Sequence, residues 1–141
     1  LRRDLLTEAL ASLEELVRPE VDEFLPGAVL RFPAFEVVVE GFGRGTLGSL
    51  STGQRRRLEV ATTLALGRLA ERLAGWVGST LFLDEVLDGL DADGRRAACS
   101  LVARAAETRC VVVITHDEGL RRDLDYVAWY HVGHAGMERR A

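Results

Sequence analysis

Lysine is absent from this sequence of 141 residues, because all 18 of its basic residues are arginine. A phosphate-binding P-loop ends in Gly-Lys-Ser or Gly-Lys-Thr, so the segment Gly43-Arg44-Gly45-Thr46 is not one. Long apolar runs are also missing, since none approaches the roughly 18 to 20 residues that a membrane-spanning helix needs. The first residues lack the continuous apolar core of a signal peptide. The sequence therefore argues against a transmembrane or secreted protein.

Cysteine is scarce as well. Cys99 and Cys110 have no Cys or His at metal-ligand spacing, so we expect two reduced thiols in the core and no zinc site. The net charge of -4 gives no global reason to bind nucleic acid. With 48% hydrophobic residues the chain can bury one sizeable core but is short for two ordinary domains.

An amphipathic helix is predicted over residues 5–24. Its apolar residues recur at steps of three and four, at Leu6, Leu10, Leu13, Val17, Val21 and Phe24. Pro26-Gly27 ends the pattern, and we expect Pro19 to kink the last turns. Two interpretations stay open, because three heptads do not establish a coiled coil: an ordinary surface helix, or the end of a longer coiled-coil stem.

The remaining pattern predicts an α/β fold. Two short strands and a glycine-rich flexible loop come first, at 28–32, 35–40 and 41–48. Helices and strands then alternate, with helices at 52–73, 95–107 and 118–123, strands at 81–83, 110–114 and 126–132, and a frayed tail at 135–141. Such alternation indicates a parallel sheet, whose ligand sites gather at the carboxyl ends of the strands.

Ser51-Thr52-Gly53-Gln54 stands at the predicted start of the long helix, directly after Leu50. A helix amino terminus offers unpaired N–H groups and a partial positive charge. Ser51 adds a hydroxyl, and Gly53 lets the backbone approach an anion closely. The segment therefore predicts a phosphate site, while the competing interpretation is that Ser51 is only an N-cap.

Asp84 and Glu85 end an apolar strand. Adjacent acids in that position are typical of nucleotide hydrolases, where the first carboxylate holds hydrated Mg²⁺ and the second faces the attacking water. An acidic strand-to-helix turn is the alternative. The acidic loop that follows, 87–94, is by itself a turn with Asp91 or Asp93 as a helix N-cap. His116, after the strand at 110–114, is by itself most often structural, and a phosphate-sensing role is the less common one.

Taken together, four segments resemble the motifs of the ABC-type ATPases. In order they are the signature motif, Walker B, D-loop and switch histidine, at Leu50-Ser51-Thr52-Gly53-Gln54, Leu81-Phe82-Leu83-Asp84-Glu85, Leu90-Asp91 and Ile114-Thr115-His116. The resemblance covers residues 50–120. Val86 replaces the Pro that transporter cassettes usually have, and His116-Asp117-Glu118 is similar to the ending of SbcC-type chains. In these details the chain resembles the SMC/SbcC-like branch of these ATPases, which acts in DNA repair and recombination.

The resemblance implies an α/β fold that is the carboxyl-terminal half of an ABC-type P-loop ATPase head, with parallel strands and flanking helices. Residues 1–25 would be the end of the coiled-coil stem helix and 26–141 the carboxyl-terminal lobe. The Walker A half is absent from this chain. Strands 81–83 and 110–114 would pack against that half, so their apolar surface is expected to be exposed here.

The same resemblance implies ATP and Mg²⁺ as cofactors and gives each motif residue a role. Ser51 and Gly53 would contact the γ-phosphate of ATP bound on the opposite subunit. Thr52 departs from the glycine usual at the middle of the signature, which could hinder that contact. Gln54 would belong to the same signature, and Asp91 would cross the dimer interface. Asp84 would position Mg²⁺, Glu85 would polarise the attacking water and His116 would sense the γ-phosphate.

The function implied is that of an ATPase completed by its amino-terminal Walker A half and dimerising with a second head. It would act with a nuclease subunit on DNA, in double-strand-break repair or recombination, in the cytoplasm at the nucleoid and without a membrane partner. Arg55-Arg56-Arg57 is expected to serve pairing within the chain more than a DNA groove. Two alternatives stay open: the cassette half of a transporter, and a non-catalytic dimerisation scaffold of the same fold.

Overall fold

The computed structural model describes residues 2–33, 36–42, 45–134 and 136–140. Four α-helices and six strands are present in this part of the chain, with a short 3-10 helix at Leu47–Ser49. They follow in the order α1 (Arg2–Phe24), β1 (Val29–Arg31), β2 (Val38–Glu40), α2 (Thr52–Ala74), β3 (Thr80–Asp84), α3 (Ala92–Ala106), β4 (Cys110–Ile114), α4 (Glu118–Asp123), β5 (Trp129–Gly133) and β6 (Gly136–Arg140). None of the described helices is both long and apolar enough to cross a membrane.

Helix α1 confirms the predicted amphipathic helix and packs against α2. It continues through Pro19 and ends at Phe24, before Pro26-Gly27. The side chains of Val17, Val21 and Phe24 are at most 1% exposed. Complete burial of such side chains stabilises the fold by about 1.5–3 kcal/mol each. The second half of α1 therefore belongs to the core, and the division of the chain at residue 25 stays a prediction.

Strands β1 and β2 lie within the two predicted short strands and form an antiparallel pair, in which Leu30 lies opposite Val39 and both are buried. Gly41 follows β2 with a φ of 90°, and a Cβ built there would lie 2.0 Å from the carbonyl oxygen of Gly27. Only glycine fits this close approach of two backbone segments. The centre of the glycine-rich loop, residues 43 and 44, lies outside the described residues.

Strands β3 and β4 form a parallel pair joined by α3, as the alternation of helices and strands predicts. One face of the pair is covered, with Leu83 buried in the core. The other face is open: Phe82 is 66% exposed and Ile114 47%. In the described part of the chain this sheet has no further strand. The expected exposed apolar surface is present.

The cysteine prediction holds in part. Both thiols are free, but Cys110 is exposed at the beginning of β4, whereas Cys99 is half-buried on α3. Partial burial raises the pKa of the Cys99 thiol, because desolvation disfavours the thiolate. The placement of Cys110 in the core is therefore wrong, for the same reason that Phe82 is exposed: the sheet continues into no further layer among the described residues.

The carboxyl-terminal segment corrects two predictions. The last strand is expected at 126–132 and parallel to the sheet, but β5 begins at Trp129 and pairs antiparallel with β6. Gly136–Arg140 is this sixth strand, although 135–141 is expected to be a frayed tail. The residues of this hairpin are mostly exposed, so no apolar alternation marks them. A turn with Gly136 at φ 120° instead lets the backbone pair with itself.

Candidate functional site

Ser51 caps helix α2 and lies at its exposed amino terminus. Its hydroxyl oxygen accepts a hydrogen bond from the backbone N–H of Gln54 at 3.2 Å, and its own N–H donates to the Gln54 side chain at 2.9 Å. This capping box confirms the N-cap interpretation. Ser51 and Thr52 are both exposed, so the cap leaves the start of α2 open to solvent. The exposed helix start can therefore still receive an anion, although the N–H groups of Ser51 and Gln54 are engaged in the cap.

Asp91 packs against the start of α2. It is the N-cap of α3, accepting from the N–H of Gly94 at 2.9 Å, which is why α3 begins at Ala92 rather than at the predicted residue 95. A Cβ built on Gly53 would lie 2.5 Å from Asp91 Oδ2. Only the missing side chain of Gly53 allows this approach. The signature and D-loop segments, far apart in sequence, thus form one surface.

Glu85 turns the chain at the end of β3. Its φ of 53° is the one positive value for a non-glycine residue in the described part of the chain. A residue held in this region costs about 1–3 kcal/mol and persists only where its surroundings impose it. Here the N–H of Glu85 donates to the carbonyl oxygen of Ile114 at 2.9 Å and extends the pairing of β3 with β4.

His116 meets Glu85 at this edge of the sheet. Nε2 of His116 lies 2.9 Å from Oε1 of Glu85, and the two side chains are 84% and 57% exposed. Asp84 pairs with Ile114 in register one residue before Glu85 and is exposed. The carboxyl ends of two parallel strands thus bring together the three residues that the motifs predict there.

Asp84 fits the expected cation. Within the described residues its carboxylate has no hydrogen-bond or ion-pair partner, and no group of three His, Cys, Asp or Glu side chains could hold a metal by itself. Mg²⁺ in nucleotide enzymes usually takes one or two carboxylates and completes its octahedron with water and phosphate oxygens. A single free carboxylate beside Glu85 therefore suits Mg²⁺ that arrives with a nucleotide.

Asp88 and Arg56 are site residues that the motif analysis missed. The Asp88 carboxylate accepts from the hydroxyl of Thr115 and, at 3.0 Å, from the N–H of His116. Arg56 on α2 donates through Nε to the carbonyl oxygen of Asp88 at 2.8 Å and through Nη2 to that of Val86 at 3.2 Å. No spacing rule links residues 32 positions apart, so only the fold reveals these contacts.

Arg57, the last residue of the arginine run, lies between helices. Its side chain is only 12% exposed and its Nε is 3.2 Å from Asp91 Oδ1. Nη1 donates to the carbonyl oxygen of Phe24, the last residue of α1, at 3.4 Å. Arg56 is also bonded within the chain, and Arg55 donates through Nη2 to the carbonyl oxygen of Leu47 at 3.5 Å, so each residue of the run has an intramolecular partner, as expected.

These residues divide into two groups. We call Asp84, Glu85, Asp88 and His116 the sheet-edge cluster, and Ser51, Thr52, Gly53, Gln54 and Asp91 the signature cluster. Arg56 and Arg57 connect the first turn of α2 to both groups through Asp88 and Asp91. The arrangement offers carboxylates for a cation and a water molecule at one place and an open helix amino terminus for an anion at the other.

No protein-family model and no curated protein matches the chain, but solved structures do. A chain described under ATP-driven dimerization and DNA-stimulated activation of SMC ATPases superposes with a TM-score of 0.73 at 12% identity, over 97% of this chain and 87% of that one. The SMC head domain from Thermotoga maritima gives 0.65 at 19% identity, over 97% of this chain and 49% of that one. The chain has the fold of an SMC head.

A further SMC head, bound to the C-winged helix domain of ScpA, superposes with a TM-score of 0.65 at 13% identity. It is matched over 98% of this chain and 45% of its own length. This chain thus spans less than half of two of the three heads. At identities of 12–19% these superpositions concern the fold alone. They confirm the predicted α/β fold of an ABC-type head with its flanking helices.

Proposed function

We propose that the chain is the carboxyl-terminal lobe of an ATP-hydrolysing, dimerising SMC/SbcC-like ATPase. The observation that carries the proposal is the 2.9 Å contact between Glu85 and His116 at the carboxyl ends of two parallel strands. In a chain with the SMC head fold, this is where the Walker B and switch motifs would have to meet. An acidic turn with a solvated histidine would not require the two side chains to touch.

The sheet-edge cluster would act on the nucleotide of its own head. The backbone of Glu85 is held by its hydrogen bond to Ile114. Its carboxylate would therefore be well placed to polarise a water molecule. Asp84 would hold Mg²⁺, which neutralises charge on the phosphates when bound. His116, within hydrogen-bond distance of Glu85, would donate to the γ-phosphate of ATP.

The signature cluster would complete the site of a second head. Ser51 and Gly53 stand at the exposed amino terminus of α2, where backbone N–H groups and the helix dipole favour an anion. Gln54 fixes the cap, and Asp91, packed against Gly53, would lie in the same interface. ATP would then join two heads because each supplies one half of a phosphate site.

The proposal that this chain is one lobe of an SMC/SbcC-like ATPase also implies a coiled-coil stem and a set of partners. Residues 1–25 would be the end of a coiled-coil stem and 26–141 the lobe, to be completed by an amino-terminal Walker A half. DNA as a partner is supported by the DNA-stimulated activation described for one similar SMC structure. A nuclease subunit and a role in double-strand-break repair or recombination at the nucleoid are supported by Val86 and by His116-Asp117-Glu118.

Completion by a P-loop half tests the proposal. The chain should hydrolyse no ATP by itself, because it contains no lysine-bearing P-loop to hold the β- and γ-phosphates. Coexpression with an amino-terminal half that carries one should give ATP hydrolysis and ATP-dependent association of heads. Phosphate release by the 141-residue chain that Glu85→Gln abolishes would contradict this expectation. A completed head that binds ATP but neither hydrolyses it nor associates would favour a non-catalytic scaffold.

A further inference from the structure

One carboxylate holds the switch loop, residues 115–117. Asp88 accepts a hydrogen bond from the hydroxyl of Thr115 and another from the backbone N–H of His116, at 3.0 Å. The hydroxyl oxygen of Thr115 in turn accepts from the N–H of Asp117 at 2.9 Å. Thr115 and His116 are thus bonded to Asp88 directly, and Asp117 is bonded to it through the hydroxyl oxygen of Thr115. Hydrogen bonds to an ionised acceptor are about twice as strong as neutral ones.

Asp88 is itself fixed from two sides. Its N–H donates to the carbonyl oxygen of Glu85 at 3.2 Å, which closes the turn after β3. Its carbonyl oxygen accepts from Nε of Arg56 at 2.8 Å, and Arg56 belongs to the first turn of α2. The carboxylate that holds the switch loop therefore has a backbone anchored to two other elements, and it is itself half-buried.

The middle of the switch loop lacks comparable support of its own. At the far end, Asp117 caps α4 by accepting from the N–H groups of Gly119 and Leu120, at 2.8 and 3.0 Å. Leu120 is fully buried and fixes that helix in the core. The His116 side chain, in contrast, is 84% exposed. The position of its ring at Glu85 therefore depends on the backbone of His116, which Asp88 binds.

We propose that Asp88 is the positioning residue of this site, holding the switch loop so that the imidazole of His116 stays at the carboxylate of Glu85. The proposal rests on the ATPase function proposed above. Asp88 touches neither water nor nucleotide in this role and acts only through His116. A loop displaced by about 1 Å can cost up to roughly a hundredfold in rate, because proximity to the reacting group is lost.

Three variants of the completed head test the proposal. Asp88→Ala removes both acceptors and should lower kcat for ATP hydrolysis by roughly tenfold to a hundredfold, with the Kd for ATP within about twofold of the parent value. Asp88→Asn keeps an oxygen for the His116 N–H and should restore most of kcat. Thr115→Val removes the hydroxyl that joins Asp88 to the Asp117 N–H but keeps the bond of Asp88 to His116, so it should show a smaller loss that is not additive with Asp88→Ala.

A measurement independent of hydrolysis accompanies the kinetics. Hydrogen exchange of the peptide that covers the switch loop should be faster in Asp88→Ala and close to the parent rate in Asp88→Asn. Asp125→Asn is the matched control, because Asp125 is an exposed acid beyond the end of α4 and belongs to neither cluster. Its kcat and its loop exchange should equal those of the parent, and thermal unfolding of every variant checks folding.

The outcomes are distinct. Faster exchange together with a lower kcat supports the proposal. Faster exchange with unchanged kcat overturns it while leaving the ATPase function intact, since the loop would then be held by Asp88 without effect on His116. Unchanged exchange in a folded Asp88→Ala variant also overturns it. A parent head that binds ATP without hydrolysing it contradicts the ATPase function itself and with it the catalytic part of this proposal.

Discussion

The sheet-edge cluster and the signature cluster are built differently. At the sheet edge the bonds join distant parts of the chain: Glu85 to His116, and Asp88 to both the switch loop and Arg56 on α2. At the signature, the side chain of Ser51 bonds to Gln54, three residues away, and faces solvent. The contacts of Glu85 and Asp88 depend on the fold of the chain, whereas the hydrogen bonds of Ser51 are those of an ordinary helix start, whose proposed function needs a second molecule.

The contrast extends to the backbone. Glu85 adopts a positive φ, and the pairing of β3 with β4 holds it there. Ser51 has the extended conformation of an unstrained N-cap. A strained residue suits a role in which one side chain must keep its direction within its own site. An unstrained cap is sufficient for a surface that is completed on association.

The largest effect is expected at the sheet edge. Glu85→Gln in the completed head should lower ATP hydrolysis by about 10²-fold or more, because a general base contributes that much to the rate. ATP binding should remain, so the ATP-bound dimer should live longer. Single-turnover phosphate release and light scattering measure the two quantities.

Glu107→Gln is the control for this variant, because Glu107 is an exposed acid at the end of α3 and belongs to neither cluster. It should leave both hydrolysis and dimer lifetime at the parent values. If Glu85→Gln dimerises no better than the parent in ATP, then Glu85 is not the base and the acidic pair is structural.

The second effect separates the clusters. Ser51→Arg puts a bulky side chain on the exposed start of α2, where a second head would have to approach. ATP-dependent association should fall at least about tenfold, which corresponds to roughly 1.4 kcal/mol. The affinity for ATP within the same head should not change, because Asp84 and the P-loop half are untouched. Light scattering and nucleotide titration on one preparation give both values.

Ser51→Ala is the control that removes only the cap. It should cost about 1 kcal/mol of stability and show in thermal unfolding. If Ser51→Arg lowers the unfolding temperature as Ser51→Ala does but associates normally in ATP, then Ser51 is no more than an N-cap.

The sequence predicted the elements of the fold well because local periodicity carries that information. The bounds of α2, β4 and α4 lie within one residue of the predicted ones. The sequence failed where an element leaves no periodic signal. The β5–β6 hairpin is mostly exposed and depends on backbone pairing and a glycine turn, so the sequence pattern predicts a tail in place of its second strand.

The candidate site shows the same division. The motifs identified Glu85 and His116, and the fold brings them within 2.9 Å, although their roles stay predictions. Asp88 and Arg56 could not be found from sequence, because an aspartate in a turn and an arginine in a basic run carry no signal of their own. Their contacts arise only when α2, the turn after β3 and the switch loop pack together.

A third effect tests the contact between the two motifs of the signature cluster. In an exposed helix Gly→Ala usually stabilises by up to about 1 kcal/mol. Gly53→Ala should instead destabilise by about 1–3 kcal/mol, because its Cβ would overlap the Asp91 carboxylate and displace it from Arg57. Gly67→Ala on the same helix is the control, since a Cβ there meets nothing within 4 Å, and it should stabilise. Denaturant unfolding measures the free energy of unfolding of both variants. Equal stabilisation by the two substitutions would show that Asp91 is free to move away from Gly53.

The smallest effect concerns Thr52, which stands where the resemblance leads us to expect glycine. Thr52 is exposed on the first turn of α2, beside Ser51 and Gly53. If its methyl and hydroxyl hinder the approach of a phosphate, Thr52→Gly should strengthen ATP-dependent association severalfold. The same change should lower stability by only a few tenths of a kcal/mol, since the helix propensities of Thr and Gly differ little. Thr63→Gly, at an exposed position further along α2, should lower stability by a similar amount and leave association unchanged. Weaker association of Thr52→Gly would show that the Thr52 side chain makes a favourable contact across the interface, and would reverse the role expected for it.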